Sequence, residues 1–304
     1  MYFFIAGYVF FYNVDFNKET YIKKLKNRAK TLFIPYIIWN TIAILIFMIR
    51  FFAGTTPIGQ QLLHSSNLEL DISLKNILNC YLFYNGNLVG LDISPVYPFN
   101  VPLWFVRDLM VIVLITPILY QLIKRLKHYF VISLGIIWFV LPFISGLGGI
   151  FFFSYGAYMS IHKRDMLVEF GRYSKSSMII YPVLGALYII ALYTYTEACP
   201  IIQRLNILVG LLFAYNLASW LLRKGYCKVS PFLTSSAFFI YVSHWLIIGY
   251  ITSFQKYFIN ADTDIKWIGV YLATSVLTAG ILLGVFYLLR RYTPNFLKVL
   301  IGRK

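Results

Sequence analysis

Runs of about twenty apolar residues recur along the chain and constrain its fold more than any other feature. The hydrocarbon core of a bilayer is about 30 Å thick, and a helix needs about 20 apolar residues to cross it with its backbone groups paired. The predicted full spans are residues 34–52, 102–122, 130–143, 150–161, 178–195, 201–222, 235–254 and 265–289. They predict an all-α, polytopic membrane helix bundle of about eight full spans. The short loops between the spans predict a single domain over residues 1–304.

Two further segments complete this prediction. Residues 1–12 form an apolar run that is about 18 Å long as a helix, and it is interpreted as half of a span. This run has neither the basic region nor the small-residue cleavage site of a signal peptide. Residues 54–101 form the longest polar stretch, and they are predicted to be an outer loop with a surface or re-entrant helix at residues 72–84.

The positive charge is distributed as a membrane topology signal. The chain is 60% hydrophobic and only 12% charged, with a net charge of +16, which excludes an ordinary soluble domain. Of its 27 Lys and Arg residues, 21 fall in segments on one side of the predicted spans, and cytoplasmic loops carry such an excess. This distribution predicts a cytoplasmic C-terminus and argues against nucleic-acid binding.

The three cysteines, Cys80, Cys199 and Cys227, are scattered along the chain without a CxxC spacing. Cys80 and Cys199 fall on the same predicted outer side, so both a disulfide and unpaired thiols are compatible with the sequence. No metal site is predicted.

Arg107 and Asp108 stand side by side near the start of an apolar span, in the stretch PLWFVRDLM. Ionisable residues inside a span cost a few kcal/mol each on insertion scales and therefore indicate a functional site. Trp104, Arg107 and Asp108 share one helical face, since they are three or four residues apart. The two charges could bind a substrate or an intermediate, or they could clamp neighbouring helices together, and Trp104 could anchor the helix at the membrane interface.

His244 lies close to the middle of the span 235–254, whereas the other three histidines lie in loops or at the ends of spans. Tyr241 is three residues before it on the same face. A neutral imidazole in a bundle can hydrogen-bond a neighbouring helix, or it can handle a proton or orient a substrate. Asn40, in the span 34–52, is a weaker polar candidate.

The basic run at residues 18–30 precedes the span 34–52. Most of its charges are explained by topology alone, but a cationic cluster at a membrane surface can also bind a phosphorylated ligand. Arg28, Lys26 and Lys30 are the candidates for such a site.

Four stretches together resemble the acyltransferase family 3 integral membrane proteins. They are FFIAGYVFF at residues 3–11, the basic run leading into IPYIIW at residues 34–39, PLWFVRDL at residues 102–109, and the segment from Ser236 to His244. They occur in the order expected of the family.

The resemblance implies a bundle of about ten helices that transfers an acyl group, usually acetyl, from cytoplasmic acetyl-CoA. The acceptor is a hydroxyl of an envelope polysaccharide or glycolipid at a bacterial-type inner membrane. The resemblance also implies that Arg28, Lys26 and Lys30 help to hold the CoA phosphates. Arg107, Asp108, Trp104, His244 and Tyr241 are then expected to belong to the acyl or acceptor site.

This chain departs from the family pattern in two ways. The first helix of the family, with an arginine and a catalytic histidine, has no counterpart here, because the chain starts inside the second helix. The catalytic residue is therefore left unassigned, and His244 is not given that role. The second basic position before the span 34–52 is Thr31, with Lys30 beside it as a substitute.

Other functions remain open on the sequence. Arg107, Asp108 and His244 could line the path of a glycan or lipid transporter or flippase, although no inverted repeat is evident. The chain could also be an inactive, truncated fragment. The acceptor sugar, the acyl chain and the oligomeric state cannot be deduced from the sequence.

Overall fold

A computed structural model of the chain describes residues 1–53, 73–84, 97–141, 144, 146–194, 197–259 and 263–303. All regular elements among these residues are helical. The first seven α-helices are α1 (Tyr2–Phe11), α2 (Lys18–Arg28), α3 (Ile34–Phe52), α4 (Leu74–Leu82), α5 (Trp104–Leu114), α6 (Thr116–Leu126) and α7 (His128–Val140). The others are α8 (Leu147–Ile161), α9 (Met166–Gly171), α10 (Ser174–Tyr193), α11 (Cys199–Arg223), α12 (Pro231–Phe258), α13 (Asp264–Tyr292) and α14 (Pro294–Leu300).

The helices confirm the predicted all-α membrane fold. Five helical segments in the described chain are long and apolar enough to span a membrane, and a bent pair of helices raises the number to six. Three shorter apolar helices, α1, α7 and α8, lie where the half-span and two of the shorter spans were predicted. Helix α4 lies within the helix predicted in the outer loop, while residues 54–72 and 85–96 of that loop lie outside the described residues.

The span predicted at residues 102–122 is broken in the structure. A short 3₁₀ turn, Val101–Leu103, leads into α5, and α6 continues after Ile115 at an angle of 67°. Pro117 has no N–H to donate to the carbonyl of Val113, four residues earlier, and proline in that position bends a helix. The hydroxyl of Thr116 donates to that carbonyl instead, at 2.7 Å.

Proline also shapes the start of the span at residues 34–52. Residues Ala29–Phe33 form a π-helical turn between α2 and α3, in which the N–H of Ile34 donates to Ala29. Pro35 follows immediately and has no N–H for the carbonyl of Thr31, so the ordinary i to i−4 pattern cannot pass through it. The basic run and the apolar span are therefore joined by an irregular turn.

The chain divides into two compact units, each discontinuous in sequence. Unit 1 comprises Met1–Ile22 and Val111–Val229, and unit 2 comprises Lys23–Met110 and Ser230–Lys304. The prediction that residues 1–304 act as a single domain stays a prediction.

In unit 1, α1 packs against α8 through two glycines. A Cβ atom on Gly7 would overlap the carbonyl oxygen of Phe153, and a Cβ on Gly156 would overlap the carbonyl oxygen of Phe4. The backbones of the two helices thus touch directly, as small residues allow in membrane helix pairs. Phe4 and Phe153, each at most 1% exposed, fill the space around this contact.

In unit 2, the core joins α3, α5, α12 and the end of the chain. Its buried members include Tyr36, Trp39, Val106, Phe239 and Leu300. The indole N–H of Trp39 donates to the carbonyl of Leu300 at 2.9 Å, although 261 positions separate the two residues.

Candidate functional site

The C-terminal end of α4 is enclosed by groups from other parts of unit 2. The last carbonyls of a helix have no partner within it and need other donors. Here the carbonyl of Cys80 accepts from the N–H of Phe99 at 2.7 Å. The hydroxyl of Tyr36 donates to the carbonyl of Tyr81. The carbonyl of Leu82 accepts from Arg107 at 2.7 Å.

Arg107 is thus a cap on α4 as well as half of an ion pair. Its Nε and Nη2 atoms each lie 2.8 Å from Oδ1 of Asp108. Its Cζ atom lies 4.5 Å from the centre of the Phe83 ring. The side chains of Arg107 and Asp108 are only 8% and 15% exposed, so the two charges compensate each other away from solvent. A cation is also favoured at this position by the partial negative charge of the helix end.

Two buried asparagines link α3 and α12 beside this cap. The N–H of Asn100 donates to Oδ1 of Asn40 at 3.1 Å. Its Nδ2 atom donates to the carbonyl of Val242 at 3.0 Å, while its buried Oδ1 has no hydrogen-bond partner in the described part of the chain. The sequence pointed to Asn40 but not to Asn100, because an asparagine just before Val101-Pro102 looks like an ordinary turn residue.

Tyr241 and Trp104 flank the start of α5. The hydroxyl of Tyr241 donates to the carbonyl of Pro102, which fixes the 3₁₀ turn that precedes Trp104. The ring of Tyr241 also meets Phe105 edge-on, at 6.3 Å between ring centres. Trp104 is 39% exposed, which agrees with a position on the outside of the bundle.

His244 is half-buried on α12, one turn beyond Tyr241. Its Nδ1 atom lies 2.7 Å from the carbonyl of Tyr241 and 3.2 Å from the carbonyl of Ile240. A carbonyl can only accept, so Nδ1 carries the proton. Nε2 of the neutral ring then holds the lone pair, and the structure records no partner for it among the described residues. This atom can accept a hydrogen bond, or a proton, from a hydroxyl group.

The basic candidates lie at a different place in unit 2, on α2 and the π-helical turn. Arg28 is half-buried, and Lys26 and Lys30 are exposed. The described residues include no ion-pair or hydrogen-bond partner for the guanidinium of Arg28. A partly desolvated guanidinium of this kind suits a phosphate, which it can contact through two N–H groups.

The cysteines carry no disulfide, since Cys80, Cys199 and Cys227 are all free. Cys80 is 0% exposed within α4, and burial raises the pKa of its thiol to about 11. A thiol reacts as its thiolate, so Cys80 is chemically inert near neutral pH.

Unit 1 contains a cavity of about 700 Å³ at the ends of α1 and α8. Lys163 and Arg164 line it together with Asp15 and Asp165, so the formal charges of its wall cancel. Arg164 is also paired with Glu169 at 2.8 Å. This wall favours an anionic ligand less than the uncompensated cations of unit 2 do.

Comparison with known proteins gives one family and one relative. Residues 1–290 match the family described as "Acyltransferase domain". The chain is 25% identical over 313 residues to the protein named "Succinoglycan biosynthesis protein ExoH" of Rhizobium meliloti (strain 1021). That alignment covers 99% of this chain and 77% of the relative. No solved structure matches the chain significantly.

Proposed function

Because this chain belongs to acyltransferase family 3 and is a membrane acyltransferase, we propose that it transfers an acyl group, acetyl in the first instance, from cytoplasmic acyl-CoA to a carbohydrate hydroxyl. The acceptor is a polysaccharide or glycolipid of the cell envelope. The match over residues 1–290 is the observation that carries this proposal. A relative named for the biosynthesis of succinoglycan supports a polysaccharide acceptor.

The reaction is an acyl transfer from sulfur to oxygen. The acceptor oxygen attacks the thioester carbonyl, a C–O bond forms, and the C–S bond breaks. The hydroxyl proton leaves the acceptor, and the departing thiolate of CoA takes up a proton, so no oxidant, reductant or metal is needed. A base that removes the proton as the C–O bond forms accelerates such a step by roughly 10²–10⁴-fold.

We place the donor at α2 and the π-helical turn, where Arg28, Lys26 and Lys30 would contact the CoA phosphates. Half-buried Arg28 has no anionic partner among the described residues, which supports this assignment. The excess of Lys and Arg on one side of the spans supports an inner membrane protein whose C-terminus and donor site are cytoplasmic.

We place the acceptor near the end of α4, with Arg107, Asp108, Trp104, Tyr241 and His244 as the candidate residues of its site. The guanidinium of Arg107 is engaged by Asp108 and by the carbonyl of Leu82, so its part is to position α4 and the start of α5. His244 would orient a sugar hydroxyl through Nε2. Residues 1–304 would act together as one catalytic domain.

The test is transfer of radiolabelled acetyl from acetyl-CoA to envelope glycan by the full chain in lipid nanodiscs. Arg28→Gln is expected to raise KM for acetyl-CoA about tenfold, equal to 1.4 kcal/mol of lost binding, with a smaller change in kcat. Lys23→Gln is the matched control, because Lys23 is an exposed cation of the same helix. Absence of transfer from any acyl-CoA to any glycan would refute the proposal.

A further inference from the structure

The end of the chain docks on the turn that carries the donor-side cations. Gly302 has a φ of +64°, and a Cβ atom there would overlap the carbonyl oxygen of Thr31. The neighbouring carbonyl of Leu300 accepts the indole N–H of Trp39 at 2.9 Å. Leu297, Leu300 and Ile301 are buried in the same core as Trp39, so the segment is packed there by apolar contact as well as by the hydrogen bond.

The backbone at the docking point is irregular. Pro35 cannot donate to the carbonyl of Thr31, which is therefore left without its usual helical N–H partner. A residue with a side chain could not approach this carbonyl in the backbone conformation that Gly302 adopts. The irregular turn before α3 thus provides a contact point, and Gly302 fits it.

This contact brings cations from the two ends of unit 2 together. Arg303 follows Gly302 directly, and its N–H donates to the carbonyl of Lys298 at 2.9 Å. Lys298 and Arg303 are both exposed. On the other side of the contact, Lys30 precedes Thr31, and Arg28 lies about one helical turn earlier.

No carboxylate compensates these charges among the described residues of unit 2. Its two described acidic residues are Asp108, which is paired with Arg107, and Asp264. Asp264 begins α13, a helix of 29 residues that spans about 43 Å, and α14 follows the opposite end of that helix. Among the described residues of unit 2, the charged groups next to the docked segment are therefore all cations.

We propose that Lys298 and Arg303, docked through Gly302, complete with Arg28 and Lys30 a single surface that binds phosphate groups. The inference rests on the proposed donor site and adds to it residues that are 268 to 275 positions away in sequence. Several cations without a compensating carboxylate recognise a polyphosphorylated ligand better than one arginine does, because each phosphate can be contacted separately. The phosphates can come from CoA or from the headgroups of anionic phospholipids.

Binding of CoA to the full chain is measured by titration calorimetry in nanodiscs of phosphatidylcholine, which carries no net charge. Arg303→Gln and Lys298→Gln are each expected to weaken CoA binding about three- to tenfold, and Gly302→Ala about tenfold. Arg125→Gln is the charge control, an exposed cation at the end of α6. Gly225→Ala is the backbone control, because Gly225 has a φ of +73° and nothing lies within 4 Å of its Cβ position. Both controls are expected to stay within twofold of the wild type.

A second arm tests the lipid source. Phosphatidylglycerol retained by the detergent-solubilised protein is counted by native mass spectrometry for the same variants. Loss of CoA binding in Arg303→Gln and Lys298→Gln, with both controls unchanged, supports the surface as a CoA site. Loss of retained phosphatidylglycerol alone supports the same surface with lipid as the source of phosphate.

Two results would separate this inference from the proposed function. If the wild type binds CoA and all three variants bind both probes as the controls do, the phosphate-binding surface is refuted while the donor proposal stands. If the wild type does not bind CoA at all, the donor proposal fails. In that case the phosphate-binding surface is supported only if the variants retain less phosphatidylglycerol than the controls do.

Discussion

At the scale of single residues, Arg107 and His244 use their polar atoms differently. The guanidinium of Arg107 is engaged by Asp108, by the carbonyl of Leu82 and by the ring of Phe83. Among the described residues, the ring of His244 is hydrogen-bonded through Nδ1, and its Nε2 atom has no such partner. Arg107 therefore organises its surroundings, whereas His244 keeps one ring nitrogen that can accept a hydrogen bond.

We predict that Arg107→Gln lowers the free energy of unfolding by about 3 kcal/mol, because removing one partner of a buried pair leaves the other charge uncompensated. Arg107→Lys should recover only part of the loss, since an ammonium cannot reproduce the planar contacts. Denaturant unfolding in detergent measures both changes. Arg164→Gln is the control, because its pair with Glu169 is exposed and such pairs contribute at most about 1 kcal/mol. Equal losses for the Arg107 and Arg164 variants would contradict the capping role.

We predict that His244→Asn folds normally but raises KM for the acceptor at least tenfold, because the asparagine amide can replace the Nδ1 donor but not the Nε2 acceptor. KM for acetyl-CoA should stay within twofold. His244→Gln should recover part of the acceptor affinity, since its amide reaches further toward the position of Nε2. If His244→Asn left both KM values unchanged, His244 would have only a structural role.

The sequence pointed to Arg107 and Asp108, with substrate binding and helix clamping as alternatives, but it did not show which groups Arg107 contacts. Two adjacent charges in an apolar run are visible in any sequence, and their cost in a membrane makes them notable. The acceptor atom on Leu82 is a backbone carbonyl, which every residue has, so no residue type indicates it. Asn100 was missed for a related reason, since its environment depends on Trp39, Asn40 and Val242 rather than on its neighbours.

At the scale of elements, the structure depends on glycines and prolines at particular positions. The long apolar helices α10, α11, α12 and α13 begin and end within a few residues of the predicted spans. Length and hydropathy alone are enough to locate such spans. Pro117 and Pro35 were visible in the sequence. Their consequences, a 67° bend and a π-helical turn, depend on which carbonyl each proline leaves without a donor.

We predict that Gly7→Ala and Gly156→Ala each separate α1 from α8 and destabilise the protein by more than about 2 kcal/mol. The added methyl group would overlap a backbone carbonyl, which cannot move as a flexible side chain can. The melting temperature and the monodispersity of the detergent-solubilised protein measure the effect. Gly185→Ala in α10 is the control, because nothing lies within 4 Å of its Cβ position. There, alanine should be neutral or slightly stabilising, since it is the better helix former.

A Gly7→Ala variant with the melting temperature of Gly185→Ala would show that α1 is not packed against α8 as described. Ten residues of helix measure about 15 Å, half the thickness of a hydrocarbon core, so the position of α1 depends on its neighbour.

At the scale of the whole molecule, the distribution of positive charge predicts a membrane topology. The alternation of loops rich in Lys and Arg with loops poor in them can be found without knowledge of packing, because such a bias reflects how a membrane protein is inserted. The assignment of residues to unit 1 or unit 2 could not be predicted, since Lys23–Met110 is completed by Ser230–Lys304 across more than a hundred intervening residues.

We predict that a membrane-impermeant maleimide labels Cys227 only from the cytoplasmic side and Cys199 only from the outer side. Labelling of spheroplasts and of inverted vesicles, with variants that keep a single cysteine, shows from which side of the membrane each cysteine is accessible. Cys80 should stay unlabelled from both sides at pH 8 until the protein unfolds, because it is 0% exposed and its thiol has a pKa of about 11. Labelling of Cys227 in intact spheroplasts would reverse the topology and move the donor site to the wrong side for cytoplasmic acyl-CoA.

The hydrogen bond from Trp39 to Leu300 has a consequence for biosynthesis. A ribosome adds about 5–20 residues per second, so the 261 residues between donor and acceptor take on the order of 13 to 52 s to make. Throughout that interval the nascent chain carries the span of Trp39 without the segment that later covers it. The turn bearing Arg28, which precedes that span, therefore gains its contact with the segment around Leu300 only after that interval.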